Sequence, residues 1–112
     1  MALDSKGNIY VAADQNRYLN LGQGLVLVYA AGSNGDVPPI AVIGGNKTGL
    51  QAPTGIALDR SDNIYVTNND HYDRVNTIVE FKSGSNGNVT PIAIIAGNNA
   101  GLRRPASIAI QP

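Results

Sequence analysis

The feature that most constrains this chain is a tandem repeat that runs through nearly all of its 112 residues. Segment 2–12 returns at 57–67 with an offset of 55 residues, and segment 28–37 returns at 80–89 with an offset of 52. Segment 39–43 also returns at an offset of 52. A period of this length is typical of folds built from repeated supersecondary units. The chain is therefore expected to contain two copies of one such unit.

Each copy has four short segments rich in Ile, Val, Tyr and Thr, separated by Gly, Asn, Asp and Pro, which is the pattern of strands and turns. The strands predicted for the second copy are 54–59, 63–67, 77–81 and 91–96. No segment has the apolar period of a helix. The predicted fold class is all-β, with two four-stranded antiparallel units. Their predicted bounds are about 1–52 and about 53–104, followed by an extra first strand within 105–112.

The residues between the strands predict specific turns. Asp4 suits an Asx turn between the first two strands, and Gly7 can adopt the positive φ of that turn. Asp62 replaces this glycine in the second copy, and Asp tolerates the left-handed region better than most residues. Segments 32–35 and 84–87 both contain Asn-Gly, which predicts a short hairpin between the third and fourth strands.

The first and fourth strands of each copy are apolar at nearly every position rather than at alternate positions. A continuous apolar run of this length indicates a strand with both faces buried. A β-propeller accounts for this pattern, because each four-stranded blade is packed between two others. A two-sheet sandwich is the alternative, and it would leave one outward face polar. We therefore expect each copy to be one propeller blade.

The second copy resembles the NHL-type β-propeller repeat at Pro-Thr-Gly-Ile-Ala-Leu-Asp (53–59), Asn-Ile-Tyr-Val-Thr-Asn (63–68) and Ile-Val-Glu-Phe (78–81). The chain is also similar to long-repeat bacterial proteins of unknown function, in which Gly-Ser-Asn-Gly and Pro-Ile-Ala segments recur. The resemblance implies a six-bladed ring that recognises protein, glycan or RNA. A minority of similar folds are metal-dependent lactonases or lyases, whose metal ligands match no position of this chain.

Two blades cannot close a ring, and their apolar faces and open sheet edges favour association. Residues 1–4 align with 56–59 and residues 105–111 align with 53–59, so the sequence starts and stops within a first strand. We expect Ala106–Ile110 to supply the innermost strand to the first blade of a neighbouring copy. Head-to-tail contacts form closed rings, and a homotrimer of six blades is the expected assembly. The alternative is a structural fragment of a larger propeller.

The connections between the second and third strands carry the candidate ligand-binding residues. They are the variable part of the repeat, because a three-residue length difference falls between about Ala13 and Tyr29. Each connection combines an aromatic ring, an arginine and amide or carboxylate groups, which can bind a glycan or anchor a peptide. A solvated loop without a ligand is the alternative. The candidates are Asn16, Arg17, Tyr18, Asp70, His71, Tyr72, Asp73 and Arg74.

No catalytic residue, cofactor or metal site is predicted. His71 is the only histidine and the chain has no cysteine, so one copy offers too few ligands for zinc. The net charge is zero and no apolar run approaches the roughly 18 residues of a membrane span, so neither nucleic acid nor a membrane is an expected partner. The predicted function is a non-catalytic binding module. A lactonase-like or lyase-like metalloenzyme is the alternative.

Overall fold

The computed structural model describes residues 1–14, 24–70, 75–97, 100–102 and 108–110. These residues form two four-stranded antiparallel sheets in which strands adjacent in the chain are also adjacent in the sheet. The all-β prediction of two such units is confirmed. The described residues include no helix long and apolar enough to cross a membrane. The first sheet comprises β1 (Ala2–Leu3), β2 (Ile9–Asp14), β3 (Gly24–Tyr29) and β4 (Ala41–Ile43), and the second comprises β5 (Pro53–Leu58), β6 (Ile64–Asp70), β7 (Val75–Phe81) and β8 (Ala93–Ile95).

Both sheets have the same register, as expected of two copies of one unit. Ile9 pairs with Tyr29 in the first sheet, and Ile64 pairs with Phe81 in the second. The ladders of β2–β3 and β6–β7 then continue to the ends that border the variable connections. Nine residues separate the paired Asp14 and Gly24, whereas six separate Asn69 and Asn76, the repeat equivalents of that pair. The three-residue length difference therefore lies in the predicted connection.

Two strands extend further than their composition predicts. β6 was expected to end at Thr67, but it pairs as far as Asp70, and β7 begins at Val75 rather than at Thr77. Asn68 and Asn69 have low strand propensity, but the ladder uses their backbone groups, which are the same in every residue except proline. Propensity alone therefore made the predicted strands too short.

The turns between the first two strands of each sheet form as predicted. Asp4 accepts hydrogen bonds from the backbone N–H groups of Lys6 and Asn8, both at 2.9 Å. Gly7 has a φ of 85° and Asp62 a φ of 64°, so both occupy the left-handed region. Asp62 therefore replaces a glycine without changing the turn.

The third and fourth strands pair antiparallel as a hairpin does, but their connection is longer than the short turn that Asn-Gly predicts. β3 ends at Tyr29 and β4 begins at Ala41, so eleven residues connect them. The Asn-Gly glycine, Gly35, does have a positive φ of 81°. Pro38 and Pro39 follow it, and a proline has no N–H to donate to a sheet ladder. Eleven residues also connect β7 to β8, where Pro91 is the only proline, so the wide loop is a property of the repeat and not of the proline pair.

One hydrophobic core lies between the two sheets. On the first sheet Tyr10 pairs with Val28, and Val26 pairs with Ile43, so these side chains share the face that packs against the second sheet. The interior of the core consists of Tyr10, Val26, Val28, Ile43, Leu50, Ile56, Ile64, Val66, Val79 and Phe81.

The expectation that the fourth strands are buried on both faces is wrong: β4 has one fully buried residue and β8 has none. Ile43 of β4 is fully buried, but its repeat equivalent on β8, Ile95, is half exposed. The reason is the order in which the two sheets pack against each other. The second sheet covers the inner face of the first sheet, whereas no described element covers the outer face of the second.

Candidate functional site

The structure describes little of the predicted ligand-binding set, although it fixes where the connections start and stop. Asp70 is the last residue of β6, and its backbone pairs with Val75 at the start of β7. The connection of the first sheet likewise starts after Asp14 and stops before Gly24. The other candidates lie outside the described residues: Asn16, Arg17, Tyr18, His71, Tyr72, Asp73 and Arg74.

Both connections border the link that joins the two sheets, residues 44–52. The Gly24 N–H donates to the Leu50 carbonyl at 3.0 Å, and the Asn69 N–H donates to the Ala52 carbonyl at 3.1 Å. A Cβ at Gly24 would lie 2.3 Å from Cδ of Pro53, so this approach requires glycine. The bases of both connections therefore lie beside one segment, and we call this region the connection end.

A buried polar residue, Asn68, organises the connection end. Its Oδ1 accepts from the Gln51 N–H at 3.1 Å. Its Nδ2 donates to the Gly49 carbonyl and to Thr77 Oγ1, both at 2.9 Å. Because one amide holds both the link and β7, it sets the position of the link relative to the second sheet.

Two buried acceptors at the connection end, Gln51 Oε1 and Asn69 Oδ1, receive no hydrogen bond within the described part of the chain. A buried acceptor without a donor costs roughly 1–3 kcal/mol. Such atoms mark a place where a water molecule would be stabilising. The connection end therefore contains polar atoms in its interior, where they do not contact solvent.

This polar cluster was not predicted, although the sequence contains a signal for it. The repeat aligns Thr67 and Asn68 with Ala12 and Ala13 of the first copy. A pair that is polar in one copy and apolar in the other marks a position where the copies differ in role. Thr67 Oγ1 lies 3.0 Å from Thr54 Oγ1, so the added hydroxyl also has a partner within the second sheet.

A second set of polar contacts is present in both sheets and joins the first turn to the third-to-fourth connection. In the first sheet Asp4 Oδ2 accepts from Asn8 Nδ2 at 3.0 Å and from the Tyr10 hydroxyl at 3.3 Å. The Ala31 N–H donates to Asn8 Oδ1 at 3.0 Å. The second sheet repeats these contacts with Asp59, Asn63, Tyr65 and Ser83.

These contacts move the pKa values of their members. Burial opposes the ionisation of Asp4, but hydrogen bonds from Asn8, Lys6 and Tyr10 outweigh it and hold the pKa of Asp4 below its ordinary value. Burial and the Asp4 charge raise the pKa of Tyr10 to about 12. Asp4 is therefore a carboxylate and Tyr10 a neutral phenol across the physiological range. Neither is poised to transfer a proton near neutral pH.

The same pattern holds in the second sheet. Hydrogen bonds from Asn63, Ser61 and Tyr65 outweigh the burial that opposes ionisation, so the pKa of Asp59 is also lowered. A hydrogen bond to Glu80, then burial and the Glu80 charge, raise the pKa of Tyr65 to about 12. Within the described ranges, no group of three or more His, Asp or Glu side chains could hold a metal ion. Asp4 and Asp59 each accept two backbone hydrogen bonds within their own turns.

The junction between the sheets is closed by a loop of the second sheet, residues 84–88, which we call the docked loop. It lies against residues 42–47 of the first sheet, the receiving edge. The Gly87 N–H donates to the Val42 carbonyl at 2.7 Å, and the Gly44 N–H donates to the Gly87 carbonyl at 3.2 Å. Asn86 Oδ1 accepts from the Val42 N–H at 3.1 Å.

Asn88 completes the docked loop. Its Oδ1 accepts from the Lys47 N–H, and its Nδ2 donates to Asn46 Oδ1, both at 2.9 Å. A Cβ at Gly45 would lie 2.4 Å from Cγ of Asn88, so the loop packs directly on this glycine. Sequence reasoning interpreted the Ser-Asn-Gly segment as a hairpin turn only, whereas it is also a contact between sheets.

The two sheets differ in what covers equivalent positions. Ile43 is 0 % exposed, whereas its repeat equivalent Ile95 is 50 % exposed. On the opposite face, Ile56 is 5 % exposed and its equivalent Met1 is 81 % exposed. The chain thus has two uncovered surfaces, one on each outer side of the stack, at positions that are buried in the junction between its own sheets.

No family model, curated protein or solved structure matches the chain significantly.

Proposed function

We propose that this chain is a non-catalytic β-propeller unit of two blades, whose copies join head-to-tail and whose connection end binds a glycan or a peptide. The observation that carries the proposal is the unequal exposure of repeat-equivalent residues. Ile43 is buried by the neighbouring sheet, whereas its equivalent Ile95 is half exposed and Met1, the equivalent of buried Ile56, is largely exposed. Complete burial of a large aliphatic side chain stabilises by roughly 1.5–3 kcal/mol. Covering these surfaces is therefore favourable.

The similarity of the two sheets supports a head-to-tail arrangement over a symmetric one. The outer face of the second sheet is equivalent to the face of the first sheet that the second covers. A further sheet of the same kind therefore fits there in the same orientation. Repeating one such contact gives a ring when the rotation closes. A ring of three copies, with six blades, is the assembly that the NHL resemblance favours.

The connection end is the proposed ligand surface. Gln51 Oε1 and Asn69 Oδ1 are buried acceptors at this end of the molecule. The candidate aromatic and arginine side chains, Tyr18, Tyr72 and Arg74 among them, belong to connections that start and stop beside these acceptors. Aromatic rings next to hydrogen-bonding groups suit a sugar or a peptide side chain.

The assembly part of the proposal is tested by the mass of the purified chain in solution. Sedimentation equilibrium is expected to give a multiple of the 11.7 kDa chain mass, with three copies favoured, and dissociation on dilution. A monomer at every concentration up to the solubility limit would overturn it.

The ligand part is tested separately on a glycan array and a peptide array. Binding that is lost in Tyr18→Ala and Tyr72→Ala, and retained in Tyr29→Ala away from the connection end, is expected. Binding unchanged in the first two variants, or no binding on either array, would overturn the ligand proposal and leave the assembly result intact.

A further inference from the structure

The chain contains a second copy of each half of the junction between its sheets. Residues 32–36 of the first sheet are the repeat equivalent of the docked loop, and we call them the free loop. Residues 94–97 of the second sheet are the equivalent of the first part of the receiving edge, and we call them the open edge. The free loop and the open edge are therefore candidates to contact each other between two copies of the chain.

The free loop already has the backbone conformation of the docked loop. Gly32 and Gly35 have φ values of 79° and 81°, and their equivalents Gly84 and Gly87 have φ values of 80° and 87°. The internal hydrogen bonds also agree, since Ser33 N–H to the Ala30 carbonyl is 3.1 Å, as is Ser85 N–H to the Lys82 carbonyl. A loop that is formed before it binds loses little conformational entropy on binding.

The open edge keeps the features that receive such a loop. Gly97 has a φ of 95° and is the equivalent of Gly45, whose φ is 125°. A Cβ at Gly45 would collide with Asn88, whereas a Cβ at Gly97 would meet no atom within 4 Å. The space that Asn88 occupies over Gly45 is therefore open over Gly97.

The receiving edge and the open edge differ at one residue, and the strand next to that residue differs as well. The equivalent of Gly44 is Ala96, and a Cβ at Gly44 would lie 2.3 Å from Cδ2 of Leu25. Leu25 has the shorter Thr77 as its equivalent in the second sheet. The larger residue on the open edge thus faces a smaller neighbour, and the backbone N–H of Ala96 remains able to donate.

We propose that the free loop of one copy docks on the open edge of a second copy and reproduces the junction between the two sheets. In this contact Asn34 Oδ1 accepts from the Ile94 N–H. The Gly35 N–H donates to the Ile94 carbonyl, and the Ala96 N–H donates to the Gly35 carbonyl. The inference rests on the proposed head-to-tail assembly and names the surface that mediates it.

The apolar residues around this contact are exposed, whereas their repeat equivalents are buried at the junction between the two sheets. Val89, beside the docked loop, packs against the core, whereas its equivalent Val37 is exposed. Leu3 and Ile95 are exposed at the equivalents of partly buried Leu58 and buried Ile43. Docking would cover Val37 and Leu3 of one copy and Ile95 of the other. A second copy is thus the occupant that fits, because the chain itself supplies both complementary halves.

The first test compares Ile95→Asp with Ile92→Asp. Ile95 should be buried in the contact, as Ile43 is. Ile92 is 57 % exposed, and its equivalent Ile40 is also 57 % exposed although the sheet that bears it is covered. Ile95→Asp is therefore expected to weaken self-association at least tenfold by sedimentation, with wild-type association in Ile92→Asp. Equal association of the two variants would overturn the docking mode while leaving assembly itself established.

The second test uses complementation between two variants that each keep one half of the contact. Leu3→Asp blocks the surface that carries the free loop, and Ile95→Asp blocks the open edge. Each variant alone should be monomeric with a wild-type circular dichroism spectrum. A mixture should form a heterodimer by native mass spectrometry, because each retains one intact half. Recovery of no heterodimer from two folded monomers would overturn the proposal.

Asn34→Ala supplies an independent probe of the loop itself. It removes the acceptor proposed for Ile94 and should weaken association several-fold without lowering the unfolding temperature of the monomer. Asn86→Ala, in the docked loop, is the matched control, since it should lower the unfolding temperature through the contact within one chain. Wild-type association of Asn34→Ala would contradict the proposed contact.

Discussion

Ser5 and Asp62 join the turns of the two sheets. The carboxylate of Asp62 accepts from the backbone N–H of Ser5 at 2.9 Å and from its hydroxyl at 2.6 Å. Asp62 makes this contact while its own backbone is in the left-handed region, with a φ of 64°. The residue that replaces a turn glycine therefore also links the two repeats, at the opposite end of the sheets from the connection end.

Asp62→Ala and Asp62→Gly should differ in their effect on stability. Both remove the hydrogen bonds to Ser5, and each exposed bond contributes about 0.5–1.5 kcal/mol. Glycine adopts a positive φ freely, whereas alanine does so at a cost of about 1 kcal/mol. Urea denaturation should therefore show the larger loss of unfolding free energy for Asp62→Ala. Equal losses would mean that backbone strain has no part in the effect.

Gly45→Ala should destabilise the chain more than Gly97→Ala. Both glycines have a positive φ, so both variants carry backbone strain of roughly 1–2 kcal/mol. Only at Gly45 does the added Cβ also collide with Asn88. The comparison is made by thermal unfolding in an Ile95→Asp background, which is expected to prevent association. If both variants unfold at one temperature, the docked loop does not pack on Gly45 as described.

Asn68→Ala should be among the most destabilising single changes at the connection end. It leaves the Gln51 N–H, the Gly49 carbonyl and Thr77 Oγ1 without their partner, and an unpaired buried group costs about 1–3 kcal/mol. Adding Thr77→Leu should restore part of the loss, because it removes one unpaired group and introduces the residue found in the first sheet. A double-mutant cycle by urea denaturation measures this coupling, and strict additivity would contradict it.

The stability of the fold should fall at both extremes of pH. The pKa values of Asp4 and Asp59 are lowered in the folded state, so their contribution is present above the ordinary carboxyl pKa of about 3.9 and is lost as the pH falls below it. The pKa values of Tyr10 and Tyr65 are raised to about 12, so their contribution is present below about pH 10 and is lost as the pH rises through 12.

Two conservative variants test the loss of stability at low pH (the acid limb of the profile) and at high pH (the alkaline limb) separately. Asp4→Asn should flatten the acid limb, and Tyr10→Phe should flatten the alkaline limb, each in unfolding temperature measured against pH. Asp36→Asn is the control, since no described hydrogen bond to the side chain of Asp36 would be lost. An acid limb that keeps its full slope in Asp4→Asn would show that the Asp4 contacts do not contribute to stability.

Local chemistry explains why much of the fold could be predicted. The repeat, the strand composition and the turn residues Asp4, Gly7 and Asp62 act over a few residues, so the sequence reveals them directly. The wide loop after β3 and the extension of β6 to Asp70 were not predicted. Backbone pairing in the ladders, rather than side-chain preference, determines both.

The candidate site was also predicted in part from the sequence and in part found only in the structure. The sequence identified the connections of variable length, and the structure places their ends beside the link that joins the sheets. The hydrogen bonds of Asn68, and the unpaired acceptors on Gln51 and Asn69, join residues from separate segments of the chain. The predicted residues Asn16, Arg17, Tyr18 and 71–74 remain predictions, because they lie outside the described residues.

The sequence by itself determined that this chain contains two copies of one four-stranded antiparallel unit, because repetition and strand periodicity are properties of the chain alone. Only the tertiary structure decided which copy covers the other. Ile43 and Ile95 occupy equivalent positions, yet one is buried and the other is half exposed. Burial depends on what packs against a surface, and equivalent residues in two copies cannot reveal that difference until the copies are stacked.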